Sequence, residues 1–103
     1  MIYNLSTSVL VPGKMAEYNE LAGQGQPLYP QVGMKIVGSF HGYTGNMNEI
    51  YVLYVYEDLV AYQKAREAFR KNPDVVKIMS RVSPLLVSSN YTLLEPNAWS
   101  PMK

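Results

Sequence analysis

Cysteine is absent from this sequence. That single absence excludes disulfides, thiolate nucleophiles, iron–sulfur clusters and cysteine-based zinc sites. Histidine occurs once, at His41, so a multi-histidine metal site would have to be shared between chains. Charge of one sign is also lacking: 9 Lys+Arg against 8 Asp+Glu give a formal net charge of +1. No global field draws in nucleic acid or an anionic membrane, and neither is expected as a partner. Long apolar runs are missing too, none approaching the roughly 20 residues of a membrane helix. The opening Met1-Ile2-Tyr3-Asn4-Leu5-Ser6 has neither the basic region nor the unbroken apolar stretch of a signal peptide. The expected location is therefore cytoplasmic. Asn4-Leu5-Ser6 and Asn90-Tyr91-Thr92 are read as chance matches to the glycosylation triplet.

What is present is a chain of 103 residues, 48% of them hydrophobic. That is enough for one core and too little for two, so residues 1–103 form a single domain, with 95–103 as a tail. Residues 2–11 read as a strand ended by Pro12-Gly13. Met15, Tyr18 and Leu21 recur at helical spacing, and Gly23, Gly25 and Pro27 stop that helix. Residues 26–33 are a punctuated link. Residues 34–43 and 48–57 alternate as two strands around a turn at 44–47. Asp58 caps a helix carrying Leu59, Tyr62, Ala65 and Phe69 on one face to about Lys71. Asn72-Pro73 restarts a second helix whose apolar side is Val75, Val76, Met79 and Val82. Residues 85–94 form a last strand.

The order strand, helix, strand, strand, helix, strand is the βαββαβ pattern of a ferredoxin-like α+β fold, a four-stranded antiparallel sheet with helices on one face. Within its central hairpin, pairing Gly42 with Ile50, Phe40 with Val52 and Ile36 with Tyr56 sets apolar against apolar. It also sets Lys35 opposite Glu57 and His41 opposite Tyr51; a pairing of His41 with Ile50 would refute it. In this register the helix-free face carries Val37, Ser39, His41, Tyr43, Tyr51, Leu53 and Val55. That set is too apolar for plain exposure and predicts a homodimer joined face to face, with a small-molecule lumen between the sheets.

Short signals spaced along the chain resemble the NIPSNAP family. They are Met1-Ile2-Tyr3, Pro12-Gly13-Lys14, Glu17-Tyr18, Lys35-x-Val37-Gly38, Thr44-Gly45-x-x-Asn48 and Tyr54-x-Tyr56, then Leu59, Ala65-Arg66, Asn72-Pro73 and Pro84-Leu85-Leu86. The resemblance implies a dimeric α/β barrel of ferredoxin-like subunits and transfers no catalytic motif. The chain departs from the family at Asn4, Ser6 and Ser8, where acidic, basic and aromatic residues are usual, and at Val52 and Tyr54, where His and Trp are frequent. The wider superfamily includes cofactor-free monooxygenases, isomerases, dehalogenation enzymes and haem-degrading enzymes, an analogy at the level of fold.

His41 is the sharpest candidate for chemistry, since a neutral imidazole moves protons near neutral pH. On the expected lumen face it neighbours Ser39, Tyr43 and Tyr51, with Glu49 close by; the bland alternative is a strand histidine satisfied by a hydroxyl. Tyr51 and Ser6 are candidate polarising groups. Asn4, Ser6 and Ser8 alternate along the first strand and either hydrogen-bond a ligand or fill a narrow space. A triad of Ser6 or Ser39 with His41 and Glu49 lacks a nucleophile elbow. His41 and Glu49 alone are too few for a metal site, and no cofactor is expected. The basic run Lys64, Arg66, Arg70, Lys71, Lys77 and Arg81 reads as a solvated helix face, or else as a receiver of an anionic group. Two functions follow: a binder of a small hydrophobic or aromatic molecule, acting as a cofactor-independent monooxygenase or isomerase if it is an enzyme; or a non-enzymatic ligand-binding or scaffold homodimer.

Overall fold

The structure, a computed structural model, describes residues 1–103. The elements run β1 (Ile2–Leu10), α1 (Met15–Gly25), β2 (Lys35–His41), β3 (Glu49–Tyr56), α2 (Leu59–Lys71), α3 (Pro73–Val82) and β4 (Leu86–Leu94). The expected turn chemistry holds at both later helices. The Asp58 carboxylate accepts from the Ala61 amide at 2.8 Å. Asn72 Oδ1 accepts from the amides of Asp74 at 2.9 Å and Val75 at 3.2 Å, with Pro73 at the first helical position. These acceptors satisfy amides that a helix start otherwise leaves unpaired. Helix α1 runs through Gly23 to Gly25. Two 3₁₀ turns follow, Gln26–Leu28 and Pro30–Val32, where an irregular link was expected. The second ends on Gly33, whose φ of 84° suits glycine. On α3, Val76 is half exposed, and Ile78 packs beside the core instead.

The sheet order is β2-β3-β1-β4, and all three strand pairs are antiparallel. The helices lie on one face of this sheet, as expected. The barrel does not follow. β2 and β4 are the two edges of an open sheet and do not pair with each other. The expected dimeric α/β barrel is thus corrected to an open four-stranded sheet with both edges unpaired.

The hairpin register also differs from expectation. Ile36 pairs with Tyr54, but Gly38 pairs with Leu53, so Val37 is an extra residue in β2, a bulge. Beyond it, Ser39 faces Val52, Phe40 faces Tyr51, and His41 faces Ile50. Before the bulge the expected register is off by two, which keeps each side chain on its side. After it the offset is one, which exchanges the faces. The bulge sits at Gly38, where a Cβ would come within 2.7 Å of the Phe40 ring. A side chain at 38 would displace that ring.

The core joins the sheet to α1 and α3. Leu10, Leu21, Ile50, Val52, Val82 and Leu85 are its buried residues, flanked by Met15, Ile36 and Met79. On β1 the side facing the helices is Asn4, Ser6, Ser8 and Leu10. Leu10 is apolar and only 1% exposed; the three before it are buried polar residues. The sheet is therefore well packed at one end of β1 and lined with hydrogen-bonding groups along the rest. No helix of the chain is long and apolar enough to cross a membrane.

Candidate functional site

Between the sheet and the helices lies a cavity of about 220 Å³. Its floor is Asn4, Ser6 and Ser8 of β1, Val52, Tyr54 and Tyr56 of β3, and Ser89 and Tyr91 of β4. Its roof is Tyr18 and Ala22 of α1, Tyr29 of the 3₁₀ segment, Tyr62, Arg66, Phe69 and Arg70 of α2, and Ile78, Met79 and Val82 of α3. Val52 and Val82 belong to both core and cavity wall. Helical spacing explains the α2 contribution: Tyr62, Arg66, Phe69 and Arg70 stand at i, i+4, i+7 and i+8, one face of the helix.

Seven of the 20 lining residues are aromatic. The Tyr29 ring stacks on Phe69 with centroids 6.1 Å apart and meets Tyr54 edge-on at 6.2 Å. Tyr56 and Tyr62 make a second edge-on pair at 5.2 Å. Burial pushes the phenols of Tyr18, Tyr29 and Tyr54 up from their ordinary value, and proximity to one another and to Tyr91 adds to it. Tyr56 is pushed up to about 12, chiefly by burial, with Tyr62 raising it further and Arg66 opposing. All four are therefore neutral at pH 7, available as hydrogen-bond donors and as apolar surface.

The polar groups of the floor are unequally satisfied. Ser8 Oγ and Ser89 Oγ share a hydrogen bond of 3.0 Å across the β1–β4 pair. Asn4 is 5% exposed, and its Oδ1 has no hydrogen-bond partner. An unpartnered buried acceptor costs about 1–3 kcal/mol, so such atoms are rare in folded proteins. Arg66 donates to the Tyr62 hydroxyl at 3.0 Å. No Asp, Glu or His lines the cavity.

The structure separates the candidate residues into groups. Asn4, Ser6 and Ser8 are together, but they face the helices within one chain, not a lumen between two sheets. Ser39 and His41 are exposed residues of the edge strand β2, turned by the bulge to the opposite face from Tyr51. Tyr51 and Glu49 lie on the helix-free face, where the Tyr51 hydroxyl donates to the Glu49 carboxylate. That bond pushes the Tyr51 phenol up from its ordinary value. Tyr43 stands in the turn, 92% exposed. No three His, Asp or Glu side chains converge as metal ligands. The sequence reading did not bring the arginines and aromatics of the roof to the site; it took Arg66 and Arg70 for a solvated helix face or a receiver of an anionic group. Their signal was the α2 face itself, in which Arg66 and Arg70 share the apolar side with Tyr62 and Phe69.

The comparisons with known proteins fit this architecture. The family model for NIPSNAP matches residues 3–101. The chain belongs to the NIPSNAP family. Protein NipSnap homolog 3A of Homo sapiens is 29% identical over 103 residues, 99% of this chain and 42% of that protein. The chain thus spans about two-fifths of the curated relatives it matches. A NIPSNAP family protein from Agrobacterium tumefaciens has a crystal structure that superposes with a TM-score of 0.93 at 22% identity, covering 99% of this chain and 98% of that one. A Bordetella bronchiseptica protein named after the antibiotic biosynthesis monooxygenases superposes with a TM-score of 0.76 at 14% identity, covering 93% and 96%. These structural likenesses show a shared fold.

Proposed function

We propose that this NIPSNAP domain binds a small, largely aromatic molecule in the cavity between its sheet and its helices. The observation that carries the reading is the buried Asn4 carboxamide, whose acceptor finds no donor in the chain, set in a wall of aromatic rings. A ligand with a hydroxyl or N–H would satisfy it, while the rings of Tyr29, Tyr54 and Phe69 supply apolar contact. The more distant structural neighbours are named after antibiotic biosynthesis monooxygenases, which is consistent with a ligand-binding role. The polar floor and neutral phenols could steady a developing oxyanion. With no carboxylate or imidazole in the wall, proton transfer has no side-chain base there. Cofactor-independent oxygenation of a substrate that ionises itself suits the cavity better than isomerisation does. The test is calorimetric titration with 2-naphthol. Wild-type protein binds it, and Ala22→Trp, which fills the cavity from α1, abolishes binding while the far-ultraviolet circular dichroism is unchanged. Equal binding by the filled variant overturns the reading.

The homodimer belongs to this proposal as well. The helix-free face presents Tyr3, Leu5 and Val9 of β1 beside Tyr51, Leu53 and Val55 of β3, with Phe40 60% exposed at its edge. A second copy of the same face is the natural cover, since a two-fold contact sets like surfaces together. Sedimentation velocity checks it: wild type sediments as a dimer, and Leu53→Lys sediments as a monomer. A monomeric wild type would remove this part and leave the cavity intact.

A further inference from the structure

Two arginines stand on the cavity wall without an acid. Arg66 and Arg70 are one helical turn apart on α2, and both line the cavity while remaining exposed to solvent. The one salt bridge of the chain joins Lys14 to Glu17, so neither arginine is neutralised by a carboxylate. Arg66 gives one hydrogen bond, to Tyr62; a guanidinium carries five donors, most of them still free. This rim is positive, and nothing acidic in the wall offsets it.

The interior has the opposite preference. The phenols of Tyr18, Tyr29 and Tyr54 are held neutral by burial, so a ligand's resting charge is better placed at the rim than at that depth. What the interior lacks is a donor for Asn4 Oδ1. The stacked Tyr29–Phe69 pair of the roof and Tyr54 of the floor add flat apolar surfaces. The volume of about 220 Å³ falls below the ~300–1,000 Å³ of pockets for drug-sized ligands, which limits the occupant to one or two rings.

We infer that the cavity takes a planar hydroxyaryl carboxylate, its acid held by Arg66 and Arg70 at the rim and its hydroxyl donating to Asn4 on the floor. The inference rests on the cavity being a ligand site and adds the chemistry of the ligand's two ends. A carboxylate suits the rim because guanidinium donors match its two oxygens in geometry as well as charge. The basic run on α2 and α3 thus divides. Arg66 and Arg70 serve the cavity, whereas Lys64 and Lys71 do not line it.

The experiment is calorimetric titration of 6-hydroxy-2-naphthoate, its methyl ester and 2-naphthoate into wild type and the double variant R66Q/R70Q. Both positions are exposed, so the variant retains its fold, as circular dichroism will verify. Wild type binds the acid about tenfold more tightly than the ester, as a charge-assisted hydrogen bond of about 1.4 kcal/mol requires. The double variant loses that preference and binds acid and ester alike. Wild type also binds the hydroxylated acid more tightly than 2-naphthoate, and this difference persists in R66Q/R70Q because it arises at the other end. Equal affinity of wild type for acid and ester overturns the inference while leaving the cavity reading intact. So does acid binding that survives Ala22→Trp, which would place the ion pair on the outer surface. If 2-naphthol and all three of these compounds fail to bind wild type, the cavity reading falls and this inference falls with it.

Discussion

Replacing Asn4 with Leu is expected to make the protein more stable and to remove its preference for a hydroxylated ligand. Asn4 is 5% exposed on the central strand β1, paired with Tyr54 on one side and Leu93 on the other. Folding removes its carboxamide from water without giving Oδ1 a partner. That desolvation costs about 1–3 kcal/mol, which an apolar side chain of similar length does not incur. Leucine also suits a strand better than asparagine does. Overpacking, which would reverse the sign, is avoided because the side chain borders a cavity of about 220 Å³. The net expectation is a gain of about 2 kcal/mol, or roughly 8–16 °C in Tm for a domain of this size. Urea unfolding followed by circular dichroism, at one protein concentration, should show a higher midpoint with an unchanged slope. The same variant should no longer distinguish 6-hydroxy-2-naphthoate from 2-naphthoate. A variant less stable than wild type by 1 kcal/mol or more, on the order of the worth of one net hydrogen bond, would refute the reasoning. The carboxamide would then be a stabilising member of the core and not a group kept for a ligand.

Other substitutions address the frame around the site. Leu10→Ala, at the most buried side chain of the core, should cost about 2–5 kcal/mol in the same urea assay. Asn72→Ala removes the acceptor for two α3 amides and should cost about 1 kcal/mol, with a similar loss for Asp58→Ala at α2. Stability should also fall in alkali. For Tyr56, raised to about 12 in the folded chain from an unfolded value of about 10, the unfolded state releases its proton first as pH rises. The tyrosine contribution is complete below pH ~10 and is lost progressively toward pH ~12, with Tyr18, Tyr29 and Tyr54 acting in the same direction. Unfolding free energies measured from pH 9 to 12 should therefore decline. A flat profile would mean that these phenols are already solvated.

Much of the frame was legible because single residues carry it. Asp58 and Asn72-Pro73 mark helix starts by their own chemistry, and the alternation of Ile50, Val52, Tyr54 and Tyr56 identifies the buried face of β3. The hairpin register was not legible, because one extra residue at Val37 exchanges the faces of everything after it. Gly38 is the sole local hint, and a glycine in a strand marks several different features. The location of the candidate site failed for a related reason. On β1 one alternating set is Tyr3, Leu5, Thr7 and Val9, the other Asn4, Ser6, Ser8 and Leu10. Burial of apolar residues favours turning the first set inward, whereas the chain turns the second inward around a cavity. A polar face buried against helices appears in the sequence only as a polar face. The barrel is another matter, since the open edges of β2 and β4 follow from the strand order and not from any local pattern.

The central claim is that a ligand enters between sheet and helices, within one subunit. Amide chemical-shift mapping during titration with 6-hydroxy-2-naphthoate tests it most directly. The account predicts shifts at Asn4, Ser6, Tyr54, Arg66 and Tyr91, saturating together, with His41, Phe40 and Tyr51 unmoved. Shifts confined to Phe40, Tyr51 and Leu53 on the helix-free face would contradict it and return the binding site to that side of the sheet.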